Sequence, residues 1–368
     1  MDVISLTQKL LSFNNINPPG DEGEIARYTG ELLQQNGFHI EYFVFGDNRL
    51  HLVAEKELSA LKPPIVLSGH FDTVPLGAKK WNVDPFAGEI KDNKVWGRGS
   101  TDMKGGLAAM ICASIEAFNE SVPEGGIRLI FTAGEESGCQ GAQHLVREMK
   151  NGDEARAVIV GEPTANQPAI GHKGAIYLNA VTSGKTAHSS MPQLGDNAIY
   201  KAALSILKVK DFDFEVERDA LLGFPTINVG KMSGGMNLNS VPDHAEFSID
   251  IRSTTKLDHK KVLKNLAQKL GKETVLEILV NLKAVSTSGN DPFVQLVYDV
   301  CGVDQSDNRF PLSLPYLTDG SVLQYHYNGS PTIILGPGEP EMAHRTDEFC
   351  YIQKLEESVN LYKKIILK

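Results

Sequence analysis

Short apolar runs alternate along the chain with segments of helical periodicity. Four of the runs are rich in Ile, Val or Leu and end in polar loops that carry Gly or Pro: Ile65 to Ser68, Ile127 to Thr132, Ala157 to Val160 and Thr332 to Leu335. Continuous apolar runs of this length are typical of strands buried on both faces. The clearest helix pattern is Lys104 to Glu120, in which five apolar side chains fall on one helical face. The alternation predicts an α/β domain with a mostly parallel central sheet flanked by helices.

The middle of the chain has a different pattern. Strand-like runs at Ile176 to Val181 and Ala245 to Arg252 are mixed with helix patterns at Asn197 to Leu207 and Leu257 to Leu270. Strands and helices mixed in so short a span favour a small α+β module inserted into a larger domain. We therefore predict one domain over residues 1–174 and 285–368, with an inserted domain over residues 175–284.

Composition excludes several classes of protein. Of the 368 residues, 41% are hydrophobic and 22% are charged, which is typical of a soluble globular protein. The net charge of -10 argues against a nucleic-acid surface, because phosphate binding relies on clustered Lys and Arg. There is no apolar run near the roughly 18 residues of a membrane span, and the amino terminus lacks the pattern of a signal peptide. We expect a cytoplasmic protein that binds neither nucleic acid nor membrane.

Five polar loops carry side chains of the kind that zinc accepts. They are His70 in LSGHFDTVP, Asp102 in GRGSTDMKGG, Glu136 in FTAGEESGCQG, Glu162 in VIVGEPT and His344 in GPGEPEMAHRTDE. Zinc binds imidazole nitrogen and carboxylate oxygen, and a two-metal site needs a bridging carboxylate with about two further protein ligands per ion. The four cysteines lack the CxxC spacing of a thiolate site. Two histidines and three carboxylates meet the requirement for two ions.

Each of these residues also has a purely structural interpretation. A His after a strand is more often hydrogen-bonded structure than a ligand, and an Asp before a helix is more often an N-cap. The pair Glu135 and Glu136 could simply start a helix, whose dipole favours acidic residues in its first turn. Asp72 favours the metal interpretation, because a carboxylate so close after His70 is suited to orient the imidazole, as carboxylates do in zinc sites.

Six motifs in order resemble a known family. The set HFDTVP, GRGSTDMKGG, TAGEES, GEPT, HSSMPQLGDNAI and GPG…AHRTDE is similar to the dinuclear zinc deacylases and metallopeptidases, namely acetylornithine deacetylase, succinyl-diaminopimelate desuccinylase, aminoacylases and glutamate carboxypeptidases. With INPPGDEGE near the start, the resemblance covers essentially the whole chain. It implies a zinc-peptidase-like catalytic domain with two zinc ions per chain, for which cobalt is a possible substitute. It also implies that the insert is a ferredoxin-like lid and dimerisation domain, so we expect a homodimer.

The resemblance implies a role for each ligand. Asp102 would bridge the two ions, and the shells would be completed by His70 and Glu162 on one ion and by Glu136 and His344 on the other. In relatives the peptide bond after this Asp is cis, so the bond between Asp102 and Met103 is expected to be cis.

The resemblance further implies roles in catalysis. Glu135 would be the general base that takes a proton from the attacking water and passes it to the leaving amine, with Asp72 as a further catalytic residue. His188 would reach the active site of a partner subunit and stabilise the oxyanion, although a solvated turn histidine is the alternative. Asn239 would contact the substrate, and Arg252 would bind its α-carboxylate through a bidentate fork, with a strand-edge salt bridge as the alternative for Arg252.

The expected substrate depends on the details of three motifs. IGHKGAIY, HSSMPQLGDNAI and ILGPGEPEMAHRTDE look closer to the acetylornithine deacetylase branch, and YLTDGSV stands where desuccinylases have a Ser-Gly-Gly-Thr loop. We expect hydrolysis of a small N-acyl amino acid, first N2-acetyl-L-ornithine in arginine biosynthesis. The alternatives are N-succinyl-LL-2,6-diaminopimelate, and then a dipeptide or a general N-acyl amino acid. An inactive zinc-binding scaffold is a different class, against which the complete ligand set and Glu135 argue.

Overall fold

A computed structural model describes residues 2–59, 61–149, 154–307 and 309–368 of the chain. These residues divide into two compact units. Unit 1 comprises Met1–Gly171, Ser286–Ser313 and Thr318–Lys368, and unit 2 comprises His172–Val285 with Leu314–Leu317. Unit 2 spans nearly the same residues as the predicted insert, but it also takes in Leu314–Leu317, which the sequence pattern did not indicate. The role of the insert as a lid and dimerisation domain stays a prediction.

The elements follow the chain in an alternating order. The helices are α1 (Val3–Leu11), α2 (Gly23–Gln35), α3 (Lys104–Glu120), α4 (Gln140–Glu148), α5 (Ala198–Lys210), α6 (His259–Leu270), α7 (Pro292–Cys301), α8 (Gly320–His326) and α9 (Ile352–Ile366), with short 3-10 helices at Pro192–Leu194 and Pro340–Met342. The strands are β1 (His39–Gly46), β2 (Arg49–Lys56), β3 (Ile65–His70), β4 (Glu89–Lys91), β5 (Lys94–Trp96), β6 (Ile127–Thr132), β7 (Ala157–Val160), β8 (Ala169–His172), β9 (Gly174–Ser183), β10 (Thr226–Asn228), β11 (Met232–Gly234), β12 (His244–Ser253), β13 (Thr274–Leu282), β14 (Val285–Ser286), β15 (Leu312–Leu314), β16 (Thr332–Ile334) and β17 (Phe349–Tyr351). All four predicted core strands and the predicted helix α3 are confirmed. Across the part of the chain that the structure describes, none of the helices has the length and apolarity to cross a membrane.

The large sheet has the parallel centre that the apolar runs predict. Its strand order is β1-β2-β6-β3-β7-β16-β8-β14, with β15 paired to β8. The pairs β6/β3, β3/β7 and β7/β16 are parallel, whereas β1/β2, β2/β6 and β16/β8 are antiparallel. Strands in the parallel centre are buried along their whole length, as in β3, β6 and β7, because helices cover both faces of such a sheet.

Successive residues of β3 point to opposite faces and so contact different helices. Val66 packs in a buried cluster with Leu145 of α4 and Leu323 of α8. Gly69 lies on the other face, where a side chain would collide with Leu107 of α3. Helix α3 is covered in turn by α1 and α9. Every side chain of α3 from Lys104 to Ile115 is therefore buried, so the predicted one-sided apolar face is too narrow a description of this helix.

Unit 2 is an α+β module of the predicted ferredoxin-like type. Its elements run β9, α5, β10 with β11, β12, α6, β13, which is the β-α-β-β-α-β order, and its sheet order is β10-β12-β9-β13 with antiparallel pairs. Burial alternates along the whole of β12, and along β9 from Ile176 onward. The buried residues of both strands pack in one cluster with α5 and α6, and on the opposite face β12 carries polar side chains such as Glu246 and Ser248.

Candidate active site

The candidate residues of unit 1 lie where its parallel strands end. His70 is the last residue of β3, Glu135 and Glu136 follow β6, and Glu162 follows β7. Because the carboxyl ends of parallel strands share one edge of the sheet, these loops converge there. The loop after β16 brings His344, and the loop between β5 and α3 brings Asp102.

The five predicted ligands form two groups that share Asp102. In the first, His70 Nε2 lies 3.2 Å from Asp102 Oδ1 and 3.5 Å from Glu162 Oε1. In the second, His344 Nε2 lies 3.3 Å from Asp102 Oδ2 and 3.2 Å from Glu136 Oε2. The ligand atoms within each group lie within 4.8 Å of one another. Each oxygen of Asp102 thus faces one histidine, which is the arrangement that a bridging carboxylate requires.

The electrostatics of these groups reflect negative charge buried together. Burial and the charge of Asp102 raise the pKa of Glu162 to about 8. Burial also raises the pKa of Glu135 well above its usual value. Burial alone would raise the pKa of Asp102, but hydrogen bonds from His344 and His70 outweigh it and lower that pKa. Hydrogen bonds to Asp102 and Glu136 raise the pKa of His344 to about 11.

This arrangement fits two divalent cations. Oxygen Oε1 of Glu136 is buried and has no hydrogen-bond partner among the described residues, although a buried carboxylate oxygen normally has one. Several carboxylates packed this closely are costly to bury unless cations neutralise them. Carboxylate oxygens and imidazole nitrogens are ligands that zinc accepts, and manganese and cobalt bind the same types of atom.

The structure places Asp72 beside both His70 and the turn after β6. The Nδ1 of His70 lies 2.9 Å from the backbone carbonyl of Asp72 but 3.6 Å from its carboxylate. The carboxylate instead accepts the backbone N–H groups of Gly134, Glu135 and Glu136 at 2.9, 3.0 and 3.1 Å. The carbonyl therefore orients the imidazole, and the carboxylate holds the turn that carries the two glutamates.

The structural interpretations of the acidic residues do not hold. Helix α4 begins at Gln140 with Cys139 as its N-cap and has no acidic residue in its first turn, so Glu135 and Glu136 do not start it. The N-cap of α3 is Met103 rather than Asp102. The peptide bond between Asp102 and Met103 is cis, as expected.

Two glycines let α3 approach the ligand loops closely. A Cβ at Gly105 would lie 2.4 Å from the carbonyl oxygen of Ser100, and one at Gly106 would lie 2.4 Å from that of Gly161. Real Cβ atoms do not come so close to backbone. The glycines of GRGSTDMKGG therefore permit the amino end of α3 to sit directly against the loops of Asp102 and Glu162.

The structure adds residues near Glu135 that sequence reasoning missed. The thiol of Cys139 donates to Oε1 of Glu135 at 3.3 Å, and Asp319 lies in the same buried group. Thr132 donates to Asp319 at 2.6 Å. Asn17, in the INPPGDEGE motif, donates to the carboxylate of Asp72 at 2.9 Å. The motifs contained Asn17 and Cys139, but only the folded chain brings Asn17 to Asp72 and the thiol of Cys139 to Glu135.

The remaining candidates lie in unit 2. His188 is exposed, and its Nδ1 lies 2.8 Å from Ser190 Oγ. Asn239 is exposed on the adjacent segment, where its carbonyl accepts the N–H of Ser189 at 3.0 Å. Arg252 forms an ion pair, with Nε 2.9 Å from Asp250 Oδ1, but it does so on the interior strand β12 rather than at the strand edge of its alternative interpretation. The catalytic and substrate-binding roles of His188, Asn239 and Arg252 stay predictions.

Comparison with known proteins identifies the family. A family model described as "Peptidase family M20/M25/M40" matches residues 66–368. The chain belongs to this family. It is a metallohydrolase that acts on amide bonds, and the predicted resemblance is confirmed.

Relatives from both expected branches match nearly the whole chain of this M20 hydrolase. A "Probable succinyl-diaminopimelate desuccinylase" of Staphylococcus epidermidis is 32% identical over 377 residues, covering 94% of this chain and 92% of the relative. An "Acetylornithine deacetylase" of Aliivibrio fischeri is 28% identical over 379 residues, covering 98% and 97%. The expected deacetylase branch therefore stays a prediction.

Solved structures share the fold. An M20 family metallo-carboxypeptidase from Sulfolobus solfataricus superposes with a TM-score of 0.82 at 20% identity, covering 100% of this chain and 98% of the other. The aminopeptidase PepT from Bacillus cereus gives a TM-score of 0.73 at 23% identity, covering 99% and 97%.

Proposed function

We propose that this M20 hydrolase removes the acyl group from a small N-acyl amino acid, using two zinc ions held by His70, Asp102, Glu136, Glu162 and His344. The observation that carries the proposal is the pair of ligand groups that share Asp102, each with one imidazole and one further carboxylate. Two divalent cations bound there would polarise the amide carbonyl and lower the pKa of water.

Glu135 would transfer the proton in this reaction. It is buried beside both ligand groups and is not a member of either. Because its Oε1 accepts a hydrogen bond from Cys139, Oε2 is the oxygen that would take a proton from the attacking water. The same carboxyl group would then give that proton to the nitrogen of the leaving amine, so that one residue serves as base and then as acid.

Unit 2 would recognise the rest of the substrate. Arg252 presents a guanidinium that holds Asp250 through both Nε and Nη2, at 2.9 and 3.2 Å. A substrate α-carboxylate offers the same two oxygens and would compete for this fork. His188 would stabilise the oxyanion and Asn239 would contact the substrate, as the family motifs imply.

Two substrates are proposed for comparison. The motifs IGHKGAIY, HSSMPQLGDNAI and ILGPGEPEMAHRTDE support N2-acetyl-L-ornithine. The 32% identity with a probable desuccinylase over 94% of this chain supports N-succinyl-LL-2,6-diaminopimelate. A panel of acetyl- and succinyl-amino acids, assayed side by side for release of the free amine, tests both. Turnover of the acetyl compound with none of the succinyl compound supports the deacetylase, and the reverse supports the desuccinylase. No hydrolysis of any member by metal-loaded protein would favour a scaffold.

The adjacent glutamates offer a matched pair of variants. Glu135→Gln should retain both metals and lose about 10²- to 10⁴-fold in kcat, because it removes the general base and no ligand. Glu136→Gln should lose metal, because it replaces a ligand carboxylate. Metal content by elemental analysis and kcat on the best substrate are measured for both. Full activity in Glu135→Gln would exclude its role as the base.

The proposal includes a homodimer formed through unit 2. Tyr200, Leu204 and Leu207 follow one face of α5 and are 71%, 62% and 56% exposed. In the same unit, β13 is the last strand in the described order β10-β12-β9-β13 and therefore forms an edge of the sheet. Its residue Val275 is 67% exposed. An apolar stripe beside an open strand edge suits a second copy, since a two-fold axis pairs identical edges and buries identical stripes.

A further inference from the structure

A buried carboxylate outside the ligand set lies behind the loop that carries Asp102. Glu348 has no exposed surface. Its Oε1 accepts the backbone N–H groups of Thr101 and Asp102 at 2.8 and 3.0 Å. Its Oε2 accepts the N–H of Gly99 at 3.0 Å and Nη1 of Arg98 at 2.5 Å.

These four hydrogen bonds use the full capacity of the side chain. An ionised carboxylate is an acceptor only, with about four lone-pair positions. Three of the donors are backbone N–H groups within one short turn, so the turn wraps around Glu348. Hydrogen bonds to an ionised acceptor are stronger than neutral ones, and the guanidinium of Arg98 balances the charge in a buried place.

The same segment that carries Glu348 also delivers a ligand. His344 lies just before it along the chain and faces Asp102 Oδ2 at 3.3 Å. Between the two, the carboxylate of Asp347 accepts the backbone N–H and the side-chain amide of Asn82 at 2.8 and 2.6 Å. A fixed segment therefore places a histidine on one side of Asp102 and holds the backbone of Asp102 on the other.

We propose that Glu348 is a positioning residue for the metal centre. By fixing the backbone at Asp102, it keeps the two oxygens of that carboxylate aimed at His70 and His344 and thereby raises the affinity for both cations. The inference rests on the proposed two-metal centre. The test measures cation binding rather than hydrolysis, so the role of Glu348 and the proposed hydrolysis can be contradicted separately.

The chain contains a matched pair that contacts no predicted ligand. Glu22 is also fully buried and accepts Nε and Nη2 of Arg49 at 2.7 and 2.6 Å. A purely structural Glu–Arg pair contributes to stability alone. Glu22→Gln therefore shows what the loss of a buried charge pair does when its carboxylate accepts no backbone N–H group of a ligand loop.

The experiment is a Co²⁺ titration of metal-free protein against a competing chelator, with the visible absorption of bound Co²⁺ recorded at each step. Glu348→Gln puts an amide NH2 group against N–H donors, so the Asp102 turn must shift. We expect about 10- to 100-fold weaker Co²⁺ binding, the range found for partners that support metal ligands, with an altered absorption spectrum. Glu22→Gln should unfold at a lower temperature but keep the wild-type affinity and spectrum.

The outcomes separate the possible explanations. Wild-type Co²⁺ affinity and spectrum in Glu348→Gln would overturn the inference. If that variant does not fold, Glu348→Asp keeps the charge but is one methylene shorter, and wild-type Co²⁺ binding in it would overturn the inference equally. Weakened Co²⁺ binding supports the inference even if no N-acyl amino acid is hydrolysed. Wild-type protein that binds no Co²⁺ would overturn both the inference and the proposed function.

Discussion

At the scale of single residues, Asp72 stabilises the turn that carries Glu135 and Glu136. Its carboxylate is fully buried and accepts three successive backbone N–H groups, from Gly134, Glu135 and Glu136. Three parallel donors on one carboxylate fix the direction in which the two glutamates leave the backbone. The two adjacent glutamates therefore occupy different positions. Glu136 lies in a ligand group, and Glu135 lies beside it.

Replacing Asp72 by Asn tests this support. An amide offers one acceptor oxygen in place of two, so at least one buried N–H loses its partner, at about 1 to 3 kcal/mol of unfolding free energy. We expect that loss together with weaker metal binding and a lower kcat. Ser137→Ala, in the same turn, removes only long hydrogen bonds to Asn17 and Gly134 at 3.4 and 3.3 Å and leaves the backbone bonds of Asp72 in place, so it should lower the unfolding free energy by less than Asp72→Asn does. Denaturant unfolding and metal content are measured, and an Asp72→Asn protein with wild-type values of both contradicts the assignment.

His51 gives a prediction about pH. It is buried, its Nδ1 accepts the N–H of Ala133 at 3.1 Å, and burial together with nearby His144 lowers its pKa from 6.5 to about 3. Between these values the unfolded state binds the proton that the folded state refuses, so stability rises with pH up to about 6.5 and is then level. Relative to pH 7, the unfolding free energy should fall at pH 5 by about 2 kcal/mol from this group.

The contribution of His51 can be isolated by substitution. His51→Gln keeps an acceptor for Ala133 but does not titrate. Its unfolding free energy, measured in denaturant at pH 7 and pH 5, should fall less than that of the wild type over the same interval. Equal falls in the two proteins would show that other groups cause the acid sensitivity.

At the scale of elements, α4 is pressed against the end of β6. A Cβ on Gly141, in the first turn of α4, would lie 1.5 Å from the carbonyl oxygen of Ala133. The turn with Glu135 and Glu136 is confined between these two elements. Glycine is therefore required at position 141 because a side chain would collide with the backbone of Ala133, and not because the backbone needs a positive φ.

Gly141→Ala should therefore be costly although alanine favours helices. Overpacking costs about 1 to 3 kcal/mol and occasionally more, and we expect this variant to reach or exceed the upper value and to lower activity through the displaced turn. Gly289→Ala is the matched control, because its Cβ would meet only Ile170 Cδ1 at 3.8 Å. Denaturant unfolding of both proteins checks the prediction, which is wrong if they are equally stable.

At the scale of the whole molecule, the cations should stabilise only one of the two units. All five predicted ligands belong to unit 1, and so do both tryptophans of the chain, Trp81 and Trp96. Tryptophan fluorescence therefore reports on the unit that carries the site. A ligand that binds only the folded state at a thousandfold excess over its Kd adds about 4 kcal/mol to stability.

Removal of metal by a chelator should lower the unfolding midpoint followed by tryptophan fluorescence. Hydrogen exchange of the amides of β9 and β12, in unit 2, should stay nearly unchanged, because no predicted ligand lies there. Re-addition of Zn²⁺ should restore the midpoint. An unchanged fluorescence midpoint in chelated, demonstrably metal-free protein would contradict the placement of the cations in unit 1.

The proposed dimer is tested on α5. Leu204→Glu puts a charge in the middle of the exposed stripe, and burying it between two copies without a partner is unfavourable. Light scattering should show a dimer for the wild type and a monomer for the variant. Leu61→Glu, at a 93% exposed position of unit 1, should remain dimeric. Two proteins of the same mass would argue against this surface as the interface.

The sequence by itself determined the core strands of the large sheet, helix α3 and the family of hydrolases to which the chain belongs. The apolar runs at β3, β6, β7 and β16 predict buried strands, because a strand covered on both faces carries apolar side chains on both. The loop after each of these strands carries a residue type that can bind zinc, and these loops are expected to meet because the carboxyl ends of parallel strands share an edge. Motifs in family order then indicated a dinuclear deacylase, since residue types and their order are properties of the sequence itself.

Only the tertiary structure decided which atoms meet. The sequence paired Asp72 with the His70 imidazole, which lies 3.6 Å from its carboxylate. It did not indicate that the same carboxylate accepts the backbone N–H groups of Glu135 and Glu136, because these come within its reach only once β3 and β6 are neighbours. No motif or periodicity indicates that Glu348 lies behind Asp102, since three of its four donors are backbone groups brought together by the fold. A periodicity or a motif records side-chain types, whereas the geometry of buried hydrogen bonds depends on how distant segments pack.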